Sequence, residues 1–291
     1  FAKGISNSEY QKLLNDPGSP LFNKAVGGRY PIGSTIKPFI SLAALEEQVI
    51  TASTTIEDRG LIEVKNKYNP SVVYTFRGWE SKGLGVVNVL RAIEQSSDVF
   101  YYIVGGGFEN FRGLGVDRLL GWYKKFGFGT KTGIDLKNES PGYLPNPTDK
   151  KAQTGEAWYV GDTYNISIGQ GNLQATPLQL VTATAAVANG GTLYKPRLAK
   201  EVINNKGEVV REIKPEVALA NFLNPANVAL VQQGMKQVVL QGTACCRMKA
   251  EVPVAVAGKT GTAETSSAGL DGKNARTKPH AWFTAYAPAD K

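Results

Sequence analysis

Ser34-Thr35-Ile36-Lys37 sets a hydroxyl and an amine three residues apart, after Tyr30-Pro31-Ile32-Gly33 and before the apolar run Phe39-Ile40-Ser41-Leu42-Ala43-Ala44-Leu45. In a helix beginning at Ser34, positions i and i+3 share a face, so the Lys37 amine can reach the Ser34 oxygen. A serine beside a free amine is an activated nucleophile suited to acyl transfer. The helix N-terminus adds unpaired N–H groups and a partial positive charge, and both favour an oxyanion beside Ser34. Pro38 falls in the first turn, where its missing N–H costs least. Serine and lysine at this spacing recur by chance in long chains, so the tetrapeptide gains weight only with two further motifs.

The second motif is Gln95-Ser96-Ser97-Asp98-Val99-Phe100-Tyr101-Tyr102, and the third is Val254-Ala255-Val256-Ala257-Gly258-Lys259-Thr260-Gly261-Thr262-Ala263. The apolar residues ahead of Lys259 predict a buried strand, and Gly261 would let a substrate backbone lie against it. A cation and a hydroxyl at the end of that strand, Lys259 and Thr260, would hold a carboxylate. Lys131-Thr132-Gly133 repeats the third tripeptide, but it follows the glycine-rich Phe126-Gly127-Phe128-Gly129 without a preceding strand and reads as a turn. S-x-x-K, S-D-N and K-T-G in this order form the signature of penicillin-binding proteins and class A β-lactamases, and Ser96-Ser97-Asp98 stands at the place of the second.

The resemblance extends past the motifs. Gly115-Val116-Asp117-Arg118-Leu119, Thr132-Gly133-Ile134-Asp135-Leu136, Ser167-Ile168-Gly169-Gln170-Gly171, Ala175-Thr176-Pro177-Leu178-Gln179-Leu180 and Asn189-Gly190-Gly191-Thr192-Leu193-Tyr194-Lys195-Pro196 resemble the transpeptidase domain of class B penicillin-binding proteins. They are most similar to the elongation type, penicillin-binding protein 2. That resemblance implies D,D-transpeptidation of peptidoglycan. Ser34 would be the nucleophile and Lys37 its base once burial lowers the amine's pKa. Ser96 would pass a proton to the leaving nitrogen. The backbone N–H groups of Ser34 and Thr262 would form the oxyanion hole, with Lys259, Thr260, Gly261 and Thr262 binding substrate. It also implies peptidoglycan stem peptides and β-lactam antibiotics as ligands, and a glycosyltransferase and other elongation-machinery membrane proteins as partners. No cofactor is implied. The location implied is the extracytoplasmic face of the bacterial cytoplasmic membrane, through an N-terminal helix outside this chain.

Two features depart from the general family pattern. Asp98 stands where an amide is usual, and an ionised carboxylate accepts hydrogen bonds but donates none. It could therefore pair with Lys37, or it could merely cap the helix that follows. Some relatives carry zinc between the first two motifs, but Phe76-Arg77-Gly78-Trp79 and Lys82-Gly83-Leu84-Gly85 hold neither Cys nor His, so no zinc is expected.

To position these residues, the spacing predicts a helix over 34–48, helical spacing over 86–95, and helices over 98–104, 114–126, 177–189 and 227–240. Asn204-Asn205-Lys206-Gly207 signals a hairpin between 197–203 and 208–213, and strands are expected over 252–259 and 281–287. Residues 1–31 read as a polar approach loop, 65–69 as part of an irregular stretch, and Tyr143-Leu144-Pro145-Asn146-Pro147 as a loop. The fold class is α+β: an antiparallel sheet covered by helices, with an inserted helical subdomain. The resemblance implies a five-stranded sheet, so residues 1–291 are expected to be a partial transpeptidase domain whose first hairpin, last strand and C-terminal helix lie outside the chain.

Composition narrows the rest. The chain carries 33 basic and 25 acidic residues, a net charge of +8, but the charges are scattered. That argues against nucleic acid and suits an anionic wall or membrane surface. No run approaches the ~18 apolar residues of a membrane span. Cys245 and Cys246 are adjacent and cannot staple distant segments. A Ser-His-Asp hydrolase would have to use His280, the only histidine, and no G-x-G-x-x-G or P-loop spacing occurs. Two alternatives to a transpeptidase stay open: a serine β-lactamase, and a penicillin-sensing receptor that acylates the same serine and stops.

Overall fold

The computed structural model describes residues 4–66, 69–246, 250–263, 266–268, 274–276 and 279–290. At its centre is helix α3, Lys37–Glu46, in which every residue from Lys37 to Leu45 is buried. A helix apolar on all sides belongs in a core. It is surrounded by α4 (Val89–Glu94), α5 (Asp98–Gly106), α6 (Gly115–Lys125) and α10 (Pro225–Leu240). Helix α10 also lies against strand β9, Ala257–Ala263, which pairs antiparallel with β12, His280–Tyr286, in the register Lys259 opposite Thr284 and Thr262 opposite Ala281. Helix α9 (Pro177–Ala188) covers β12, where the Thr184 and Thr284 hydroxyls meet at 2.7 Å. The architecture is α+β, and among the described residues the strands form two-stranded antiparallel pairs, with β10 (Ser266–Ala268) and β11 (Asn274–Arg276) paired between β9 and β12 in the chain.

Helices α5, α6, α9 and α10 fall close to where periodicity predicts them. Other elements correct the sequence reading. The predicted 34–48 helix opens as a 3-10 turn over Gly33–Ile36 and becomes α-helical only at Lys37. Val86 and Val87 lie in strand β4 (Gly85–Val87), paired with β1 (Ile56–Asp58), and Asn88 then caps α4 by accepting the Arg91 N–H at 3.0 Å. The polar stretch before Pro31 is not all loop: it holds α1 (Asn7–Leu14), closed by a Ser6/Glu9 capping box, and α2 (Lys24–Gly27).

The irregular stretch around 65–69 is the tip of a hairpin between β2 (Leu61–Lys65) and β3 (Val73–Arg77), with Lys67 and Tyr68 outside the described residues. The loop expected at 143–147 leads into α7 (Pro147–Thr154), and α8 (Val160–Ser167) follows and packs on α5. The β5 (Leu193–Lys195) to β8 (Glu216–Leu219) ribbon encloses the predicted hairpin, which forms as β6 (Glu201–Ile203) and β7 (Val209–Glu212). Strand β9 starts five residues later than expected and runs past the third motif, so Lys259 and Thr260 sit mid-strand and not at its end. Lys131-Thr132-Gly133 lies in neither helix nor strand, just after the turn at 126–129: the Thr132 and Gly133 N–H groups and the Thr132 hydroxyl all donate to the Glu139 carboxylate. No helix of the described residues is long and apolar enough to cross a membrane.

Candidate active site

Ser34 sits in the 3-10 turn that leads into α3, where the Lys37 N–H donates to the Ser34 carbonyl. Three residues per turn stack positions i and i+3, so Ser34 and Lys37 share a face even though the α-helix has not yet begun. Two glycines let the third motif approach this turn. Gly33 has φ +54°, and a Cβ there would collide with the Thr262 carbonyl. Gly261 faces the turn from the other side, where a Cβ would lie 2.8 Å from Thr35 Cγ2. Gly261 therefore seats β9 on the serine turn and leaves no room on that face for a substrate backbone, which corrects the sequence expectation.

The Lys37 amine, fully buried, donates to the Ser96 carbonyl at 2.8 Å, to Ser96 Oγ at 3.1 Å and to Asp98 Oδ1 at 2.6 Å. Its three ammonium donors are thus taken by the second motif. The neutral amine would keep two N–H groups for these partners and free a lone pair for the Ser34 hydroxyl. Burial lowers the Lys37 pKa below the ordinary lysine value, against the opposing pull of Asp98 and, more weakly, of Asp58. Ser96 holds its place with φ +58°, and Ser97 caps α5 by accepting the Phe100 N–H at 3.1 Å. Asp98 is not the cap: it turns instead to Lys37, and its second oxygen accepts the Trp79 N–H at 3.1 Å. Beneath the lysine, the Tyr101 ring lies 5.3 Å from Nζ, its hydroxyl bonded to Ser41.

On the opposite wall Lys259 is also fully buried and donates to its neighbour's carbonyl, Thr260 O, at 3.0 Å. Desolvation, with Lys37 nearby, pushes its pKa well below the ordinary value. Thr262 is exposed and Thr260 half-buried, so the two threonines are open to solvent where the lysine is not. Three residues that sequence reasoning missed complete the walls. Thr243, after α10, shares a 2.6 Å hydrogen bond with the Thr260 hydroxyl and donates its N–H to the Glu94 carbonyl, linking the third motif to the end of α4 just ahead of the second. Gln170 Nε2 donates to the Thr262 carbonyl at 3.1 Å. The exposed Trp79 indole donates to the Gln95 carbonyl at 3.0 Å, just ahead of Ser96. The sequence did carry a trace of Gln170, inside Ser167-Ile168-Gly169-Gln170-Gly171; it carried none for the pairing of Thr243 with Thr260. His280 stands at the outer end of β12, edge-on to Tyr30, and takes no part in the Ser34, Lys37 and Ser96 cluster. Among the described residues no group of three or more His, Cys, Asp or Glu side chains could hold a metal ion. Cys245 and Cys246 are joined to each other.

The arrangement offers a nucleophile, a buried amine of lowered pKa, a hydroxyl bonded to that amine, and a hydroxyl-lined wall backed by a second amine. Comparison with known proteins bears on the family of the chain. The model of the penicillin binding protein transpeptidase domain matches residues 4–291. The peptidoglycan D,D-transpeptidase MrdA of Haemophilus influenzae is 37% identical across all of this chain and 44% of the relative. MrdA of Escherichia coli K12 is 35% identical across 99% of this chain and 45% of the relative. The chain thus spans about half the length of these curated relatives. Penicillin-binding protein 2 of Helicobacter pylori, solved in complex with MreC, superposes with a TM-score of 0.79 at 34% identity over 99% of this chain and 48% of its own. The Pseudomonas aeruginosa PBP2 crystal structure with WCK 5153 gives 0.78 at 33% identity over 99% of this chain and 60% of its own. The residues at the cleft and the whole-chain likeness lead to one assignment: the chain belongs to the penicillin-binding protein transpeptidase domain family.

Proposed function

We propose that this chain carries the D,D-transpeptidase activity of an elongation-type penicillin-binding protein. The observation that carries this reading is the Lys37 amine, buried one 3-10 turn from Ser34 and bonded to both Ser96 and Asp98. Ser34 Oγ attacks the carbonyl carbon of the penultimate residue of a stem peptide while its proton passes to neutral Lys37. As the C–N bond to the terminal residue breaks, Ser96 relays a proton to the leaving nitrogen. An amine from a second stem peptide then attacks the ester, a new C–N bond forms, and the proton returns to Ser34. A β-lactam enters the same first step, but its opened ring stays attached and blocks the acceptor.

The names of the relatives support the substrate class, and the MreC complex of the H. pylori relative supports an elongation-machinery partner. A membrane-anchored extracytoplasmic location and a glycosyltransferase partner belong to the same reading. Intact-mass analysis with peptide mapping after exposure to penicillin tests it, with a single adduct expected on Ser34. An adduct elsewhere, or none, overturns it.

Lys259 carries a second expectation. In the ligand-free protein its pKa is well below the ordinary lysine value, through burial and the proximity of Lys37. A substrate carboxylate placed against Thr260 and Thr262 favours the charged amine, so it raises that pKa. Binding therefore takes up a proton at pH values between the free and bound pKa, and affinity falls as pH rises through that window. Titration calorimetry of a Ser34→Ala variant with a stem-peptide ligand, in two buffers of different ionisation enthalpy, should report this uptake. Proton-neutral, pH-flat binding would remove Lys259 from carboxylate recognition.

A further inference from the structure

Asp58, the last residue of β1, is a buried carboxylate that serves neither as nucleophile nor as base, and its oxygens go to uncharged donors. Oδ2 accepts the Ser97 hydroxyl at 2.5 Å, and Oδ1 accepts the Gly60 N–H at 2.8 Å. Holding a carboxylate away from water is costly unless the site gains from it. Both bonds lead to the second motif. Ser97 is that motif's middle residue and the cap of α5, so the Asp58–Ser97 bond fixes the residue that follows Ser96 with its φ of +58°. A non-glycine residue in that region persists only where its surroundings hold it. The other oxygen closes the turn at Gly60, whose carbonyl accepts the Gly78 N–H at 2.7 Å. The next residue, Trp79, donates its N–H to Asp98. One carboxylate thereby braces Ser96-Ser97-Asp98 at two points, directly at Ser97 and at Asp98 by way of Gly60, Gly78 and Trp79.

We propose that Asp58 is a positioning residue for acyl transfer, holding Ser96 and Asp98 in the arrangement that presents them to Lys37. This rests on the transpeptidase reading above. Asp58 acts on the reaction only through these residues and through its charge, which favours the protonated form of Lys37. The other groups facing the Lys37 amine are Asp98, Ser96 and Tyr101 on the second-motif side and Lys259 from β9.

The test measures second-order acylation by a fluorescent penicillin, as a function of pH, in the full chain and in Asp58→Asn, Ser97→Ala and Ser97→Thr. Asp58→Asn keeps the shape but sets an NH2 group against one of the two donors, and Ser97→Ala removes the bridge while leaving the charge. Each should slow acylation by about tenfold to a hundredfold, the scale of a small misplacement of reacting groups. Ser97→Thr, which keeps the hydroxyl, should restore most of the rate. The acid limb of the pH profile should move to lower pH in Asp58→Asn, where a negative charge facing Lys37 is lost, and stay in place in Ser97→Ala. A purely structural Asp58 would lower melting temperature without moving that limb. Rates within twofold of the unsubstituted chain in both Asp58→Asn and Ser97→Ala overturn the proposal, as does an unshifted acid limb in Asp58→Asn. Failure of the unsubstituted chain to form any adduct on Ser34 would be a different result, since it refutes the transpeptidase reading itself.

Discussion

Lys37→Ala is expected to slow acylation of Ser34 by at least the ~10²-fold of a lost general base, about 3 kcal/mol of barrier. The loss should exceed that floor because Lys37 is also the hub of the site: its amine bonds Ser96 twice and Asp98 once. Removing it leaves the Asp98 carboxylate, 13% exposed, beside a cavity without its cation. Lys37→Arg should fail as well, since a guanidinium keeps its proton at any working pH. In the unsubstituted chain the rate should rise with pH as Lys37 loses its proton, and burial places that rise below the ordinary lysine range. Asp98→Asn removes the larger of the two opposing charges, so it should shift the rise to still lower pH with a milder loss of rate, the amide keeping one acceptor. Stopped-flow acylation across pH measures all three variants. A Lys37→Ala protein acylated within about tenfold of the unsubstituted rate would show that another group takes the Ser34 proton.

The placement of the site residues was legible wherever it depended on short stretches of sequence. Ser34 and Lys37 share a face in any helix of three to four residues per turn, so a 3-10 turn in place of an α-helix left that inference intact. Asp98 as partner of Lys37, and not a helix cap, was one of two readings of the same residue; Ser97 takes the cap and leaves Asp98 free.

What stayed hidden depends on distant segments. Gly261 was read as room for a substrate, but its neighbours Thr35 and Ile32 come from the serine turn more than two hundred residues earlier. Thr243 carries no local signal, because its meeting with Thr260 requires the end of α10 to fold back over β9. Asp58 likewise reaches Ser97 only through the β1–β4 pairing that a helical reading of Val86 and Val87 had hidden. Local capping chemistry was the one signal present and not used. Asn146-Pro147 starts α7 with a side-chain cap to Asp149 and proline in the first turn, although a proline-rich stretch reads first as loop.

The penicillin adduct on Ser34 is expected to last on the order of an hour, and its lifetime is the measurement that separates a transpeptidase from a lactamase. Release at roughly 10³ per second corresponds to a deacylation barrier of about 13 kcal/mol, and a one-hour lifetime to about 22. A difference of about 9 kcal/mol is far outside assay error. The geometry favours the slow case. Hydrolysis of the ester needs a base placed against a water, and the carboxylate bonded into this cleft, Asp98, has one oxygen on the Lys37 amine and the other on the Trp79 N–H. An acceptor amine that brings its own lone pair needs less activation than water does, so the same site can cross-link while hydrolysing slowly. Time-resolved intact-mass spectra after removal of free penicillin would follow the decay. Loss of the adduct within seconds, with hydrolysed penicillin accumulating in step, would mean that some group does activate water and that the chain works as a lactamase. A stable adduct whose protein forms no cross-links when given lipid-linked stem peptide would point instead to a penicillin sensor.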